Sequence, residues 1–580
     1  MSGLPAALWL LGLFAAAPAL RTGARYDFPD RLRDALILGI TIPFALGLVH
    51  ALYAVACWCV LAICIAAAYA RGIAKPATAP SAAAPIPYLL VGALLAVAWP
   101  QLMRPLLEGD SLSYHLPNAA AWVQAHSIWT TATRYWWYPP ASELFAAGLY
   151  VTSGPFGLPW CGFVALALLG FRIATWARNA FAAPPLLADL LAAATVTAFP
   201  LAIQAGTLQN DVWLAAFWLE SVWALLTSQN ATAARALAVT ALIKPQGWLF
   251  AVIALTTTRA KRGLWVTTLT ALAVWLVHDA ILWKHAIVAP ASTEYGSLFG
   301  STILAHGWAA LAILARVTLA ASPFASVALL AALARPFLGG REPRLGWAAC
   351  AAALLFFLLP FGYASSVAQL ATGASLRFAA PAVAAGAVIL TAFARRNAVT
   401  GAALLAASSL FGVGYVLAIF WNDAPTRVAP IVALAGIGAV AWARALRRGW
   451  PVALAFIAIA VAADLLAGSH PVDFYADALR VNGRATTFYS WVERSRPTAI
   501  GAVGLALGTV NVLSPQTRTV EIPDASSCAH AREQGVLLVA IGENDRTDAF
   551  NRARLRAARA CGVTRYDDGI AVVVAPSGVR

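Results

Sequence analysis

The chain has 580 residues, 61% of them hydrophobic and only 11% charged, with a formal net charge of +15. Soluble domains carry about a quarter charged residues, so the composition excludes a soluble globular protein and points to a polytopic membrane protein. The basic balance does not indicate nucleic acid, because the basic residues sit in short clusters between apolar runs, the distribution that orients membrane helices.

The first apolar window, at about residues 4–20, has no basic residue before it and Arg21, Arg25, Arg31 and Arg33 after it. That order is the reverse of a signal peptide's and predicts an uncleaved span with its N-terminus outside. The run at about 35–70 fits two short spans turning near His50, and an Ala/Pro linker from Lys75 to Pro87 follows. Residues 1–75 therefore form extra membrane helices ahead of a main membrane domain, 76–469. An apolar segment at about 86–103 then leads into an outer loop, 104–157, with a surface helix at about 141–152.

Beyond the loop the basic clusters alternate. Arg172/Arg178, Arg235, Arg259/Lys261/Arg262, Arg335/Arg341/Arg344, Arg395/Arg396 and Arg444/Arg447/Arg448 fall at one set of span ends, which the positive-inside tendency makes cytoplasmic. Asp110, Asp211, Glu294 and Asp423 mark the opposite ends. Two incomplete helices fit the residues around Lys244-Pro245 better than two full spans. The predicted fold is a polytopic α-helical membrane protein of about 14–16 membrane segments, each of roughly 17–25 residues.

After a last span at about 451–468 the composition becomes polar. Residues 470–580 read as a small α/β domain: strands at 519–522 and 535–541, an amphipathic helix at 546–560 and a closing strand at 569–575. The alternation puts this domain outside the cytoplasm. There Cys528 and Cys561 either close a disulfide, worth roughly 3–4 kcal/mol, or stay as two independent buried thiols. Cys57, Cys59, Cys64, Cys161 and Cys350 lie in apolar segments and read as small core residues.

The chemistry-bearing stretch is Glu108-Gly-Asp-Ser-Leu-Ser-Tyr-His-Leu-Pro117, at the mouth of a span. Ionisable groups at such a position are costly and mark function. Asp110 would serve as the N-cap of the helix that follows, but a cap explains one acid, leaving Glu108, Tyr114 and His115. Arg134 and the Tyr135–Tyr138 aromatic run share the loop. Asn210-Asp211 opens a span on the same side, where a second carboxylate suits sugar hydroxyls or a metal, or again caps a helix. Lys244 and Arg377 are deep cations; they either hold a phosphate, with Arg377 offering bidentate geometry, or snorkel to the surface. Glu220 and Asp189, inside apolar segments, call for polar partners within the bundle. His278, Asp279 and His285 are potential metal ligands without diagnostic spacing. The acids allow a divalent metal without requiring one. No phosphate loop, dinucleotide fingerprint or His-Glu-x-x-His motif is present, so cytoplasmic nucleotide is not indicated as an energy source.

Asp110 with Tyr114-His115-Leu-Pro117, then Trp-Tyr-Pro-Pro-Ala-Ser-Glu143, resembles the first outer loop of the GT-C superfamily of membrane glycosyltransferases. Asn210-Asp211, Ile243-Lys-Pro245 and Arg377-Phe-x-x-Pro381 continue the resemblance in order over about residues 86–400, closest to bacterial relatives of protein O-mannosyltransferases and aminoarabinose transferases. One departure is that the mannosyltransferase-type loop has adjacent Asp-Glu, whereas here Asp110 is followed by Ser111 and the second acid, Glu108, precedes it. The resemblance implies a bacterial inner-membrane enzyme that moves a sugar from a polyprenyl-phosphate-linked donor to a lipid, glycan or protein acceptor on the outer face. Asp110, with Glu108, would be catalytic; Tyr114, His115, Arg134, Asp211, Lys244 and Arg377 would bind substrate. The competing classes are a lipid or glycan transporter or flippase, which predicts internal repeats, and a non-enzymatic envelope assembly factor.

Overall fold

The computed structural model describes residues 3–21, 26–70, 87–104, 106, 108–133, 135–283, 307–337, 342–358, 374–420, 424–445, 457–458, 486–502, 505–522, 528–541 and 548–579. The protein is a polytopic α-helical membrane protein with a small C-terminal α/β domain. Among the described residues, Trp160–Phe181, Arg262–Trp283, Ser375–Ala394 and Ala398–Ile419 are long and apolar enough to cross a bilayer, and shorter apolar helices pack among them. The expected span at 451–468, apart from residues 457–458, lies outside the described residues, as do Lys284, His285, Glu294 and Asp423.

The N-terminal run divides as its sequence suggests, into Phe28–Leu48 and Ala54–Ala70, with His50 at φ 58° in the turn. Phe28–Leu48 opens with a capping box between Asp27 and Asp30 and then buries Asp30, Arg33 and Asp34. Their partners come from their own helix and from three others. Arg33 reaches Asp30 at 2.9 Å, Asp34 at 3.0 Å and Glu220 at 3.4 Å, while Arg172 reaches Asp30 at 2.6 Å and Glu220 at 2.5 Å. Arg235 approaches Asp34 at 3.7 Å from the half-buried edge. This corrects the reading of Arg172 and Arg33 as markers of cytoplasmic span ends. They are 1% and 2% exposed, and they join Phe28–Leu48 to Trp160–Phe181 and Asp211–Leu226 through one interlocked set of charges. A helix that carries charges into an apolar bundle must bring them to partners, because an unpaired buried charge costs several kcal/mol. Glu220 thereby finds the polar neighbours its sequence position demanded. Asp189 accepts hydrogen bonds from the Leu89 and Leu90 amides, 2.9 and 2.7 Å, and so satisfies the free N-terminus of Tyr88–Leu102 from outside that helix.

The helix expected on the surface, now Ala141–Ser153, is instead buried along almost its whole length. Gly3–Ala16 and Phe28–Leu48 cover one side of it and Leu116–Gln124 the other. The close seat needs Gly148, where a Cβ would come within 2.9 Å of Pro43 and 3.5 Å of the Gly39 carbonyl oxygen. Part of the purpose of the extra N-terminal helices is thus to cover this helix.

The C-terminal domain is a mixed five-stranded sheet of order β2-β1-β3-β5-β4, with β1 Ala499–Ala502, β2 Arg518–Glu521, β3 Leu537–Ile541, β4 Gly562–Asp567 and β5 Ala571–Pro576. Strands β1, β2 and β3 run parallel, and β5 is antiparallel to β3 and β4. Asp548–Arg559 packs its apolar face on β3 and β5. The strands at 519–522, 535–541 and 569–575 and the helix at 546–560 were legible in sequence; β1 and β4 were not. Strand β1, Ala-Ile-Gly-Ala, is buried throughout and carries no polar residue to show alternation, and β4 is an edge strand with an exposed, polar pattern. Cys528 and Cys561 are joined as a disulfide, Cα atoms 5.2 Å apart, tying Cys528–Glu533 to the start of β4.

Candidate active site

The site lies where four chain segments meet at the loop-bearing end of the bundle. Glu108, Gly109 and Asp110 start a turn that widens into a π-helix over Ser111–His115, where the Leu116 amide bonds back five residues to the Ser111 carbonyl. The cap of this turn is Glu108. Its carboxylate accepts hydrogen bonds from the amides of Asp110, 2.9 Å, and Ser111, 2.8 Å, and from the Ser111 hydroxyl, 2.8 Å. Asp110 makes no side-chain capping bond. The cap that would have explained Asp110 structurally is supplied by the acid two residues earlier, which leaves Asp110 to face the bundle.

There Asp110 is hydrogen-bonded to the Arg377 guanidinium. Arg377 stands on a 3₁₀ turn, Ala374–Ala379, whose continuation into Ala380–Ala394 is set by Pro381 in the first helical turn. The same guanidinium lies 3.5 Å from Asp211 and 3.9 Å from Glu108. Asp211, in the first turn of Asp211–Leu226, also pairs with Lys244. Neither Asn210 nor Asp211 caps that helix. Gln204 accepts the Val212 amide, 3.0 Å, and Asn210 donates to the Ile243 carbonyl, 3.2 Å, drawing the Lys244 turn towards Asp211.

Lys244 sits between two short helices, Asn230–Ala241 and Gly247–Thr257. At 1.5 Å per residue neither is long enough to span a bilayer of about 30 Å. Gly247 makes the turn possible, since a Cβ there would come within 2.1 Å of the Thr240 carbonyl oxygen. Lys244 and Arg377 both lie against the Phe378 ring, at 4.8 and 4.9 Å from its centroid. Neither cation snorkels: both are 8% exposed and engaged with carboxylates. Two cations and three carboxylates are thus interleaved.

The other side of the turn is aromatic. The Tyr114 ring lies 4.7 Å from Tyr135 and 5.7 Å from Tyr138, forming a wall beside the charges. Burial, with the Asp110 carboxylate adding to it, pushes the Tyr114 phenol well above its usual range, so it stays a neutral hydroxyl. His115 departs from its expected place in a sugar pocket. It is 1% exposed, and its Nδ1 is 2.6 Å from Glu143, whose other oxygen accepts the Ser142 hydroxyl at 2.8 Å. Glu143 is the residue that sequence reading passed over, although Ala-Ser-Glu143 was in view; a carboxylate opening a buried helix needs partners, and His115 and Ser142 supply them. Arg134 lies outside the described residues. His278 is held by the Ile128 carbonyl oxygen, 3.2 Å, faces Asp279 at 3.1 Å and is stacked on Trp275, ring centroids 4.2 Å apart. Among the described residues no three His, Cys, Asp or Glu side chains gather in a metal-holding cluster.

No family model and no curated protein matches the sequence. Among solved structures, the crystal structure of ArnT from Cupriavidus metallidurans bound to undecaprenyl phosphate is similar, with a TM-score of 0.45 and 16% identity, covering 84% of this chain and 97% of that chain. Likeness at that level leaves the chemistry to this chain's own side chains.

Proposed function

We propose that the protein is a GT-C-type glycosyltransferase of the bacterial inner membrane, which moves a sugar from a polyprenyl-phosphate-linked donor to a lipid, glycan or protein hydroxyl on the outer face. The observation that carries the reading is the convergence of Asp110, Asp211, Lys244 and Arg377 at one mouth of the bundle, from four segments of the chain. The basic clusters that remain at the other span ends support taking this mouth as the outer one.

The reaction breaks the bond between the sugar's anomeric carbon and the donor phosphate oxygen and forms a bond to the acceptor oxygen. The acceptor proton goes to a base, and the lipid phosphate leaves as an anion. Arg377 and Lys244 hold that leaving group, the guanidinium by a bidentate fork and the ammonium as a point charge. Asp110 takes the acceptor proton. An arriving phosphate competes with Asp110 and Asp211 for the same donors. As it takes over Arg377, it frees the Asp110 carboxylate to face the acceptor, so donor binding and activation of the base are one event. Tyr114, with Tyr135 and Tyr138, forms the wall against which the sugar ring rests. Glu108 supports Asp110 by fixing the turn, and His115 does so from behind through Glu143.

The test is a transfer assay in purified membranes with radiolabelled polyprenyl-phosphate sugars, following release of free lipid phosphate. Wild type should release it, and Asp110→Asn should reduce the rate by about 10²–10⁴-fold. Full activity in Asp110→Asn would remove the base assignment. Absence of release with every donor, in folded protein that still binds lipid phosphate, would instead favour a transporter.

A further inference from the structure

The C-terminal domain touches the loop that bears the site, and it does so at four separated points. The helix Leu505–Leu513 crosses the π-helix so closely that a Cβ on Gly508 would lie 2.1 Å from the Leu112 carbonyl oxygen and 2.6 Å from its Cα. The Tyr150 hydroxyl donates to the Asn511 carbonyl oxygen at 3.0 Å. Gln124 donates to the Thr517 carbonyl oxygen at 2.8 Å and accepts from the Thr519 amide at 3.1 Å. At the end of β2 the Glu521 amide donates to the Ala132 carbonyl oxygen at 2.7 Å. Leu112, Gln124, Ala132 and Tyr150 all belong to the loop 104–157, so the domain grips its whole length.

A π-helix is uncommon and weaker than the α-helix it interrupts, and it survives where its surroundings fix it. Here the fixing surface is the Gly508 face. Any larger side chain at 508 must lift the helix or displace Leu112, the neighbour of Ser111, which holds Glu108, and two residues from Tyr114.

We infer that the C-terminal domain is a positioning clamp for the site, with Gly508 as its positioning residue: it sets the π-helix that aims Asp110 and Tyr114. The catalytic consequence rests on the transferase reading; the structural consequence does not. Two readouts on the full-length protein in nanodiscs separate them. Hydrogen exchange of residues 111–116 should quicken by about tenfold or more in Gly508→Ala, with β3 and β5 protected as in wild type. Transfer should lose about tenfold or more in kcat with little change in donor KM, as a misplaced rather than missing group requires. Gln124→Ala removes two of the contacts from the loop side without altering the C-terminal domain. It should show the same pattern more weakly, which keeps the test open if Gly508→Ala unfolds the domain. Wild-type exchange at 111–116 in Gln124→Ala and in folded Gly508→Ala would overturn the clamp. Faster exchange in a protein with no transfer activity even as wild type would support the clamp and sink the transferase reading alone.

Discussion

Replacing Arg377 tests the proposed phosphate site most directly, because alanine removes the charge while lysine keeps the charge and removes the fork. Arg377 is 8% exposed, with Asp110, Asp211 and Glu108 as its carboxylate neighbours. A hydrogen bond to a charged group is worth about 1.5–3 kcal/mol, so its loss weakens lipid-phosphate binding by roughly 10- to 150-fold. The three carboxylates add to the penalty, since alanine removes the guanidinium that faces all of them and their charge then repels the incoming anion. Arg377→Ala should therefore fall at the upper end of that range. Arg377→Lys, with no bidentate geometry, should lose about tenfold. The assay is binding of a short-chain polyprenyl phosphate to protein in nanodiscs, followed by tryptophan fluorescence, with circular dichroism to verify the fold. Folded Arg377→Ala that binds within twofold of wild type would refute the reasoning. Arg377 would then be only the counterion that holds Asp110 and Asp211 in place.

The buried charge set predicts that Glu220→Gln destabilises the bundle by about 3–5 kcal/mol, because Arg172 loses its main partner in an apolar interior. A double replacement, Arg172→Met with Glu220→Met, should cost much less than the sum of its parts; simple additivity in denaturant unfolding would show that the pairs are not coupled. The Cys528–Cys561 disulfide closes a sequence separation of 33 residues, so Cys528→Ser with Cys561→Ser should lower the stability of the C-terminal domain by roughly 3–4 kcal/mol. Alkylation of both thiols without prior reduction would contradict the bond. Burial alone would raise the pKa of Asp568, but hydrogen bonds from Thr487, the Ala571 amide and Tyr566 outweigh it and hold the carboxyl below its usual value. A depressed folded pKa contributes stability above the unfolded value, near 3.9, and loses it as pH falls through the folded one. The domain should weaken in acid below about pH 4, and Asp568→Asn should flatten that dependence in an unfolding series from pH 6 to 2; an unchanged slope would assign the acid sensitivity elsewhere.

Much of the helical scaffold was legible because a bilayer imposes length and apolarity on each span, and both survive in composition. The turn at His50, the segment before Glu108 and the two short helices around Lys244 came from this alone. Arg172 and Glu220 show the limit. Charge clusters report a span end only when the charge is free, and sequence does not reveal that Arg172 meets Glu220 from another helix and Asp30 from a third. The same limit explains the helix Ala141–Ser153. Its apolar faces were visible, but whether lipid, water or the N-terminal helices cover them is a property of packing.

The candidate site shows how roles within a short motif can be exchanged without changing its composition. Two acids flank Gly109, and the rule that an Asp before a helix caps it offered Asp110 a structural role as the alternative to a functional one. The chain instead caps with Glu108, whose longer side chain folds back over the glycine to reach two amides and a hydroxyl. That arrangement makes sense of the departure from adjacent Asp-Glu. With the cap supplied from upstream, Ser111 is free to accept the Leu208 amide at 2.9 Å while donating to Glu108, and so ties the loop to the segment leading into Asp211. Asp110 and Asp211 are thereby brought to a single guanidinium by backbone hydrogen bonds as well as by attraction. The carboxylate pair is held before any substrate arrives, which is what a site that acts by exchanging one anion for another requires.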